Sequence, residues 1–232
     1  MKELEHARDA VTHVSELTGS LCLGTIESIC ATIFPELLRE YHRLYPKVNV
    51  RLITDSPETL LEMMNSNAID IVYFLDKRMY DSKWIKVLEE PEDIVFVTAS
   101  GHPFVGRDSL DRCPPVRTPV YRYRAAMVID QPFILTERNA SYRFILDQYL
   151  AAQGKEIHPF LEIGNTEFII SLLRKNLGVS FLPEFTIHQD IINGELAVLD
   201  VRDFYMRTWR QIVYHKDKWV TREMDAFLRL AT

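Results

Sequence analysis

Glycine is scarce in this chain, with eight residues in 232. None of them falls in a G-x-G-x-x-G fingerprint, a phosphate-binding loop or a G-x-S-x-G elbow, so nothing in the sequence supports a dinucleotide site, a phosphate loop or a hydrolase nucleophile. Cysteine is scarcer. Cys22, Cys30 and Cys113 are odd in number and lack C-x-x-C spacing, which suits a reducing cytoplasm better than a disulfide framework. Cys22 and Cys30 could pair or sense oxidants, but both fall on apolar patterns and read first as small buried hydrophobes. The seven histidines are scattered without metal-ligand spacing, so neither a metal nor a cofactor is expected. Basic excess is missing too. The net charge is −6, which gives this stretch no reason of its own to bind nucleic acid or an acidic membrane surface. No apolar run approaches the roughly 18 residues of a membrane helix. The start, Met1-Lys2-Glu3-Leu4-Glu5-His6, lacks the apolar core of a signal peptide, so a cytoplasmic protein is expected.

What is present is an ordinary share of hydrophobic residues, 47%, in alternating strand and helix patterns. Leu4, Ala7, Val11 and Val14 recur at spacings of three and four, a coiled-coil seam that Gly19-Ser20 would stop. Residues 1–18 are thus either the end of a longer helix or a helix packed on its own domain. Leu21-Cys22-Leu23 reads as a buried strand. A helical run through Leu37, Leu38, Tyr41 and Leu44 follows, with Pro35 near its start. Residues 48–54 alternate as a strand. Ser56-Pro57-Glu58 is a strong helix start, with Ser56 as the cap. Residues 69–74 form the next strand. This β-α-β-α-β order calls for a parallel, doubly wound sheet.

Residues 84–88 and 94–97 read as two strands separated by the acidic turn Glu89-Glu90-Pro91-Glu92-Asp93. Ser100-Gly101-His102-Pro103 is a candidate hinge. The long segment 104–131 is rich in proline and arginine and has little periodicity, and its arginines read as a solvated surface. From residue 132 the β-α-β-α-β order repeats, with Phe144, Ile145, Tyr149 and Leu150 expected inward on one helix, and Phe168, Ile169, Leu172 and Leu173 on the next. The expectation is therefore an α/β protein of two Rossmann-like lobes joined by two crossover strands. Residues 20–98 and 206–232 would form lobe I and residues 99–205 lobe II.

Three strand-to-helix turns carry the polar chemistry. They are Gly24-Thr25-Ile26-Glu27-Ser28, Thr136-Glu137-Arg138-Asn139-Ala140-Ser141 and Gly164-Asn165-Thr166. Helix N-termini with hydroxyls favour a small anion such as a carboxylate. Glu27 sits where that anion would go. Either its side chain turns away, or the ligand carries an amine or hydroxyl beside its acid. Arg138 and Arg143 flank the second turn and could offset the charge. Ser28, Ser56, Ser141 and Thr166 could equally be no more than helix N-caps.

The order and wording of these stretches resemble the effector-binding domain of LysR-type transcriptional regulators. The resemblance rests on Gly24-Thr25-Ile26-Glu27-Ser28, on Phe34-Pro35-Glu36-Leu37-Leu38 through Tyr45-Pro46-Lys47-Val48, on Glu89-Glu90-Pro91 through His102-Pro103, and on Gly178-Val179-Ser180-Phe181-Leu182-Pro183. It implies a periplasmic-binding-protein-like fold. Thr25, Glu27, Ser28, Asp55, Ser56, Asn139, Ser141, Asn165 and Thr166 would line a ligand site between the lobes, with Arg138 beside them. It also makes residues 1–18 the end of a dimerising linker helix. The protein is then expected to be the ligand-sensing, non-enzymatic part of a cytoplasmic regulator. It would form a homodimer or tetramer through its lobes and linker, and meet DNA only through an N-terminal domain that this chain lacks. A stand-alone bilobed binding protein is the alternative.

Overall fold

The computed structural model describes residues 17–105, 121–123, 125–138 and 140–232. The chain divides into two compact units, one of the residues through Glu90 together with Arg210–Thr232, the other of Pro91–Trp209.

The first unit opens with β1 (Thr18–Thr25), followed by α1 (Glu27–Thr32), α2 (Phe34–Leu44), β2 (Lys47–Thr54), α3 (Pro57–Asn65) and β3 (Ile71–Asp76). It also holds the start of β4 (Trp84–Ala99), the end of β10 (Met206–His215) and α8 (Arg222–Ala231). β1 is the parallel partner of both β2 and β3, and the strand order of the unit is β2-β1-β3-β10-β4. β3 is flanked on both sides, which is why Ile71 to Leu75 are all buried. Leu60, Met64, Ile69, Val72, Phe74, Trp84 and Val213 fill one face. Phe34, Tyr41, Tyr73 and Phe227 pack on each other with ring centroids 5.7 to 6.3 Å apart, and the Tyr41 hydroxyl donates to the Glu223 carbonyl at 3.0 Å.

The start of α3 is as the sequence predicts. The Ser56 hydroxyl accepts from Thr59 N at 3.3 Å, and Pro57 fills the first turn. Ser56→Ala is expected to lower the unfolding free energy by about 1 kcal/mol in urea denaturation, and Ser56→Gly by only a few tenths.

Three expectations change here. Of residues 1–18, the expected end of the linker helix, 1–16 lie outside the described residues and Thr18 already belongs to β1. Gly19 and Ser20 are not a helix stop but part of β1, because β2 offers ladder partners back to Lys47. The single opening helix is two, α1 and α2, divided at Ile33. The two strands expected around an acidic turn are one 16-residue strand, β4. Each acid there has a partner that sequence spacing cannot show. Glu89 pairs with Arg78 at 2.7 Å and with Lys86, and Glu90 pairs with Arg210 at 2.7 Å. Glu92 accepts from Phe185 N at 2.9 Å, and Asp93 accepts from Arg207 at 2.7 Å and from the Tyr205 hydroxyl at 2.8 Å.

The second unit contains the rest of β4 and of β10, together with β5 (Tyr121–Tyr123), α4 (Ala125–Val128), β6 (Ile134–Leu135), α5 (Ser141–Ala151), β7 (Leu161–Glu162), α6 (Thr166–Arg174), β8 (Val179–Pro183), α7 (Glu184–Ile192) and β9 (Leu196–Val201). β4 pairs antiparallel with β8 and with β9, and β5 runs parallel to β9. β6 and β7 form a parallel pair, and Phe133 bridges to Val179. Val97, Ile134, Ile169, Ile170, Leu173, Leu182, Ile187 and Leu196 make its core.

Two inward assignments fail. Phe144 is 53% exposed and Phe168 45% exposed. On α5 the buried face is Tyr142, Arg143, Leu146 and Leu150. An arginine takes an inward position because its guanidinium finds acceptors there, and this turns Phe144 to the outside. On α6 the buried face is Thr166, Ile169, Ile170 and Leu173, which leaves Phe168 on the outer side. Of the segment 104–131, residues 106–120 and 124 lie outside the described residues; its described residues include β5 and α4, and Ala125 N donates to Asp203 at 2.7 Å. Among the described residues no helix is long and apolar enough to cross a membrane.

Candidate functional site

In the first unit the candidate residues stand where parallel strands end. Gly24 lets its neighbours pack closely on β1, since a Cβ there would lie 2.9 Å from the end of the Ile69 side chain and 3.0 Å from that of Leu60. Thr25, the last residue of β1, is fully buried, and its carbonyl accepts from Asp55 N at 3.2 Å, which sets the first turn beside the start of α3. Ile26 caps α1 through its backbone alone. Glu27 and Ser28 are therefore the first two helical residues, and Ser28 is not an N-cap. Its hydroxyl is buried and has no hydrogen-bond partner among the described residues. Such a group costs free energy unless something satisfies it. Ser56 has its hydroxyl committed to the cap of α3 and shares a 2.9 Å hydrogen bond with the Thr59 hydroxyl.

In the second unit the structure brings the second and third turns together. Ile163 N donates to the Leu135 carbonyl at 3.0 Å, and a Cβ on Gly164 would lie 2.9 Å from the Glu137 carboxyl carbon. Arg138 is exposed and loosely held, with its guanidinium nitrogens 3.9 Å from both Glu156 and Glu162. Asn139 lies outside the described residues. Ser141 and Thr166 are first helical residues, and their caps are Ala140 and Asn165. Asn165 accepts from Phe168 N at 2.7 Å. Of the four residues that could have been N-caps, only Ser56 is one.

Two second-unit residues gain importance that the sequence did not give them. Arg143 is 1% exposed; its Nε donates to Asp147 at 2.9 Å and its Nη1 to the Thr136 carbonyl at 3.0 Å, with Glu162 3.6 Å away. Rather than flanking the turn from solvent, it pins the turn from below. Thr136 is buried, and its hydroxyl, like Arg143 Nη2, has no hydrogen-bond partner among the described residues. The signal for Thr136 was available, as a hydroxyl directly after the apolar run Phe133-Ile134-Leu135. Asp76 was also missed. It closes the otherwise apolar β3, and burial holds its carboxyl above the ordinary aspartate range.

The cysteine alternative weakens. Cys22 and Cys30 are both free. Burial, and next the Asp70 carboxylate that accepts from Cys22 N at 2.7 Å, push the Cys22 thiol up, which disfavours the reactive thiolate. Among the described residues no cluster of His, Cys, Asp and Glu could hold a metal ion.

Each unit thus offers buried hydroxyls at strand ends together with carboxylates, and the second adds the exposed guanidinium of Arg138. The family described as LysR substrate binding domain matches residues 15–232. An uncharacterised HTH-type transcriptional regulator, YwqM of Bacillus subtilis, is 31% identical over 231 residues, covering 97% of this chain and 72% of that protein. The Synechocystis CcmR regulatory domain in complex with 2-PG has a TM-score of 0.67 at 20% identity, covering 91% of this chain and 95% of that one. The effector-binding domain of QuiR in complex with shikimate has a TM-score of 0.65 at 14% identity, covering 93% and 96%.

Proposed function

This chain belongs to the family of LysR substrate binding domains, and from that premise we propose that it senses a small carboxylate that also carries a hydroxyl or amine. The observation behind this chemistry is that the buried hydroxyl of Ser28 in the first unit, and that of Thr136 in the second, each lack a hydrogen-bond partner among the described residues. Such groups discriminate strongly for a ligand that can hydrogen-bond to them. Arg138 meets the carboxylate, since leaving contacts of 3.9 Å costs it little. Arg143 is a positioning residue that holds the Thr136 carbonyl. Glu27 repels a plain dicarboxylate and favours a hydroxyl or ammonium group. Shikimate, which the QuiR domain binds, is a hydroxylated carboxylate of this kind.

The relatives are regulators of transcription, and we assign the chain a sensing rather than a catalytic role. In this reading it works in the cytoplasm as part of a homodimer or tetramer. DNA is met by a separate N-terminal domain, and the effector acts by preferring one arrangement of the assembly over another.

Thermal-shift and calorimetric titration with shikimate, 2-PG and a panel of hydroxy- and amino-carboxylates tests this. At least one is expected to raise the melting temperature. Arg138→Gln should then weaken its binding about tenfold, the size of one charge-assisted hydrogen bond, and Glu27→Gln should improve binding of plain dicarboxylates. A panel without a binder, or a binder indifferent to Arg138→Gln and Ser28→Ala alike, would overturn the reading.

A further inference from the structure

We propose that the first unit carries a second ligand site, a groove of about 400 Å³ that takes a small organic cation with an apolar body. None of the effector candidates lines it. The groove lies among α2, β4, β10 and α8, and its volume is in the range of small-molecule sites. Its apolar lining is Ile33, Leu37, Leu88 and Leu230, enough to accept a ring or a short alkyl chain.

The charged lining decides which ligand fits. Glu36, Glu40 and Glu90 face the groove against one arginine, Arg210. That arginine is committed. Its Nη2 is 2.7 Å from Glu90, and its Nη1 donates to the Tyr73 hydroxyl oxygen at 3.3 Å. Glu36 and Glu40 have arginine partners on α2, Arg39 and Arg43, but neither of these lines the groove. An anion would have to take Arg210 from Glu90 while approaching two further carboxylates. An ammonium or guanidinium group meets attraction from all three acids, and its apolar body leaves water for the leucines.

The site's place in the chain gives it consequence. Glu90 is the last residue before the chain leaves this unit, and Arg210 is the first on its return. A bound cation competes directly for the ion pair that ties these two residues together.

The test is methyl NMR of the full chain, titrated with benzylammonium chloride and, separately, with benzoate and benzyl alcohol. Saturable shifts are expected at the methyls of Ile33, Leu37, Leu88 and Leu230 with benzylammonium, and at least tenfold weaker binding of the other two. Glu36→Gln with Glu40→Gln should weaken binding about fivefold, with an unchanged melting temperature as the check on the fold. Leu37→Trp, which fills the groove, should abolish the shifts. The proposal is overturned if no saturable shift appears, if benzoate binds as well as benzylammonium, or if the double glutamine variant binds like the wild type.

Discussion

Replacing Gly178 with alanine is expected to lower the stability of the second unit by about 4 kcal/mol or more, the range reserved for severe backbone conflicts. Gly178 has φ +152°, and a Cβ there would sit 2.2 Å from the Pro132 carbonyl oxygen. That oxygen cannot move aside cheaply, because it accepts from Val179 N at 2.9 Å. Nor can Gly178 swing away, since its own carbonyl accepts from the buried Thr98 hydroxyl at 2.8 Å. The hydrogen bonds that seat β8 between the Phe133 segment and β4 thus run through one residue without a side chain. In a chain of this size the loss corresponds to a fall in melting temperature of roughly 8 to 16 °C, read by circular dichroism. Gly101→Ala is the matched control, as its Cβ would meet nothing within 4 Å. A Gly178→Ala protein that melts within 2 °C of Gly101→Ala would show that the close approach is not real.

Arg143→Met is expected to cost about 3 kcal/mol, at the lower end for breaking a buried ion pair. Methionine replaces much of the buried volume, so the loss is mainly electrostatic. Asp147 loses its cation, Glu162 loses the nearer of its two, and the Thr136 carbonyl loses its donor. The two carboxylates are partly exposed, and hydration offsets part of the penalty. Lysine at 143 keeps the charge but loses the planar fork that serves Asp147 and the carbonyl together, so Arg143→Lys should fall between wild type and Arg143→Met. Urea denaturation with an unchanged m-value separates this from a general loosening. If Arg143→Met were as stable as the wild type, the turn would not depend on its guanidinium.

These two residues mark where sequence reading works and where it stops. α3 was legible because its signals are local, with Ser56, Pro57 and Glu58 each stating one property of a helix start. The strand-to-helix turns were legible for the same reason, as were the β-α-β-α-β order of each half and the family, whereas α7 was missed. β4 was not, because five residues containing four acids read as a turn until Arg78, Arg210, Arg207 and Phe185 N, remote in the chain, are seen to face them. The inward face of α5 was lost because hydrophobic periodicity has no place for a buried arginine, and Phe144 was counted in its stead. At the candidate site, residue types and turns were readable. Which hydroxyls are spent on caps, as at Ser56, and which are left over, as at Ser28 and Thr136, depends on hydrogen bonds that only coordinates show.

The position of β10 has a consequence for how the protein is made. In the first unit β10 lies between β3 and β4, yet it comes from near the end of the chain. While the ribosome is still adding the residues between Glu90 and Arg210, β3 already exists, with its run of apolar side chains and one open edge, and nothing yet synthesised can close it. At bacterial elongation speed that interval lasts on the order of 10 s. An open apolar edge is the commonest invitation to mispairing. The second unit has its β4, β8 and β9 ladder in hand before the first can be sealed. The nascent protein can therefore build most of its middle before it closes its beginning, and chaperone demand during synthesis should centre on the unit that emerged first.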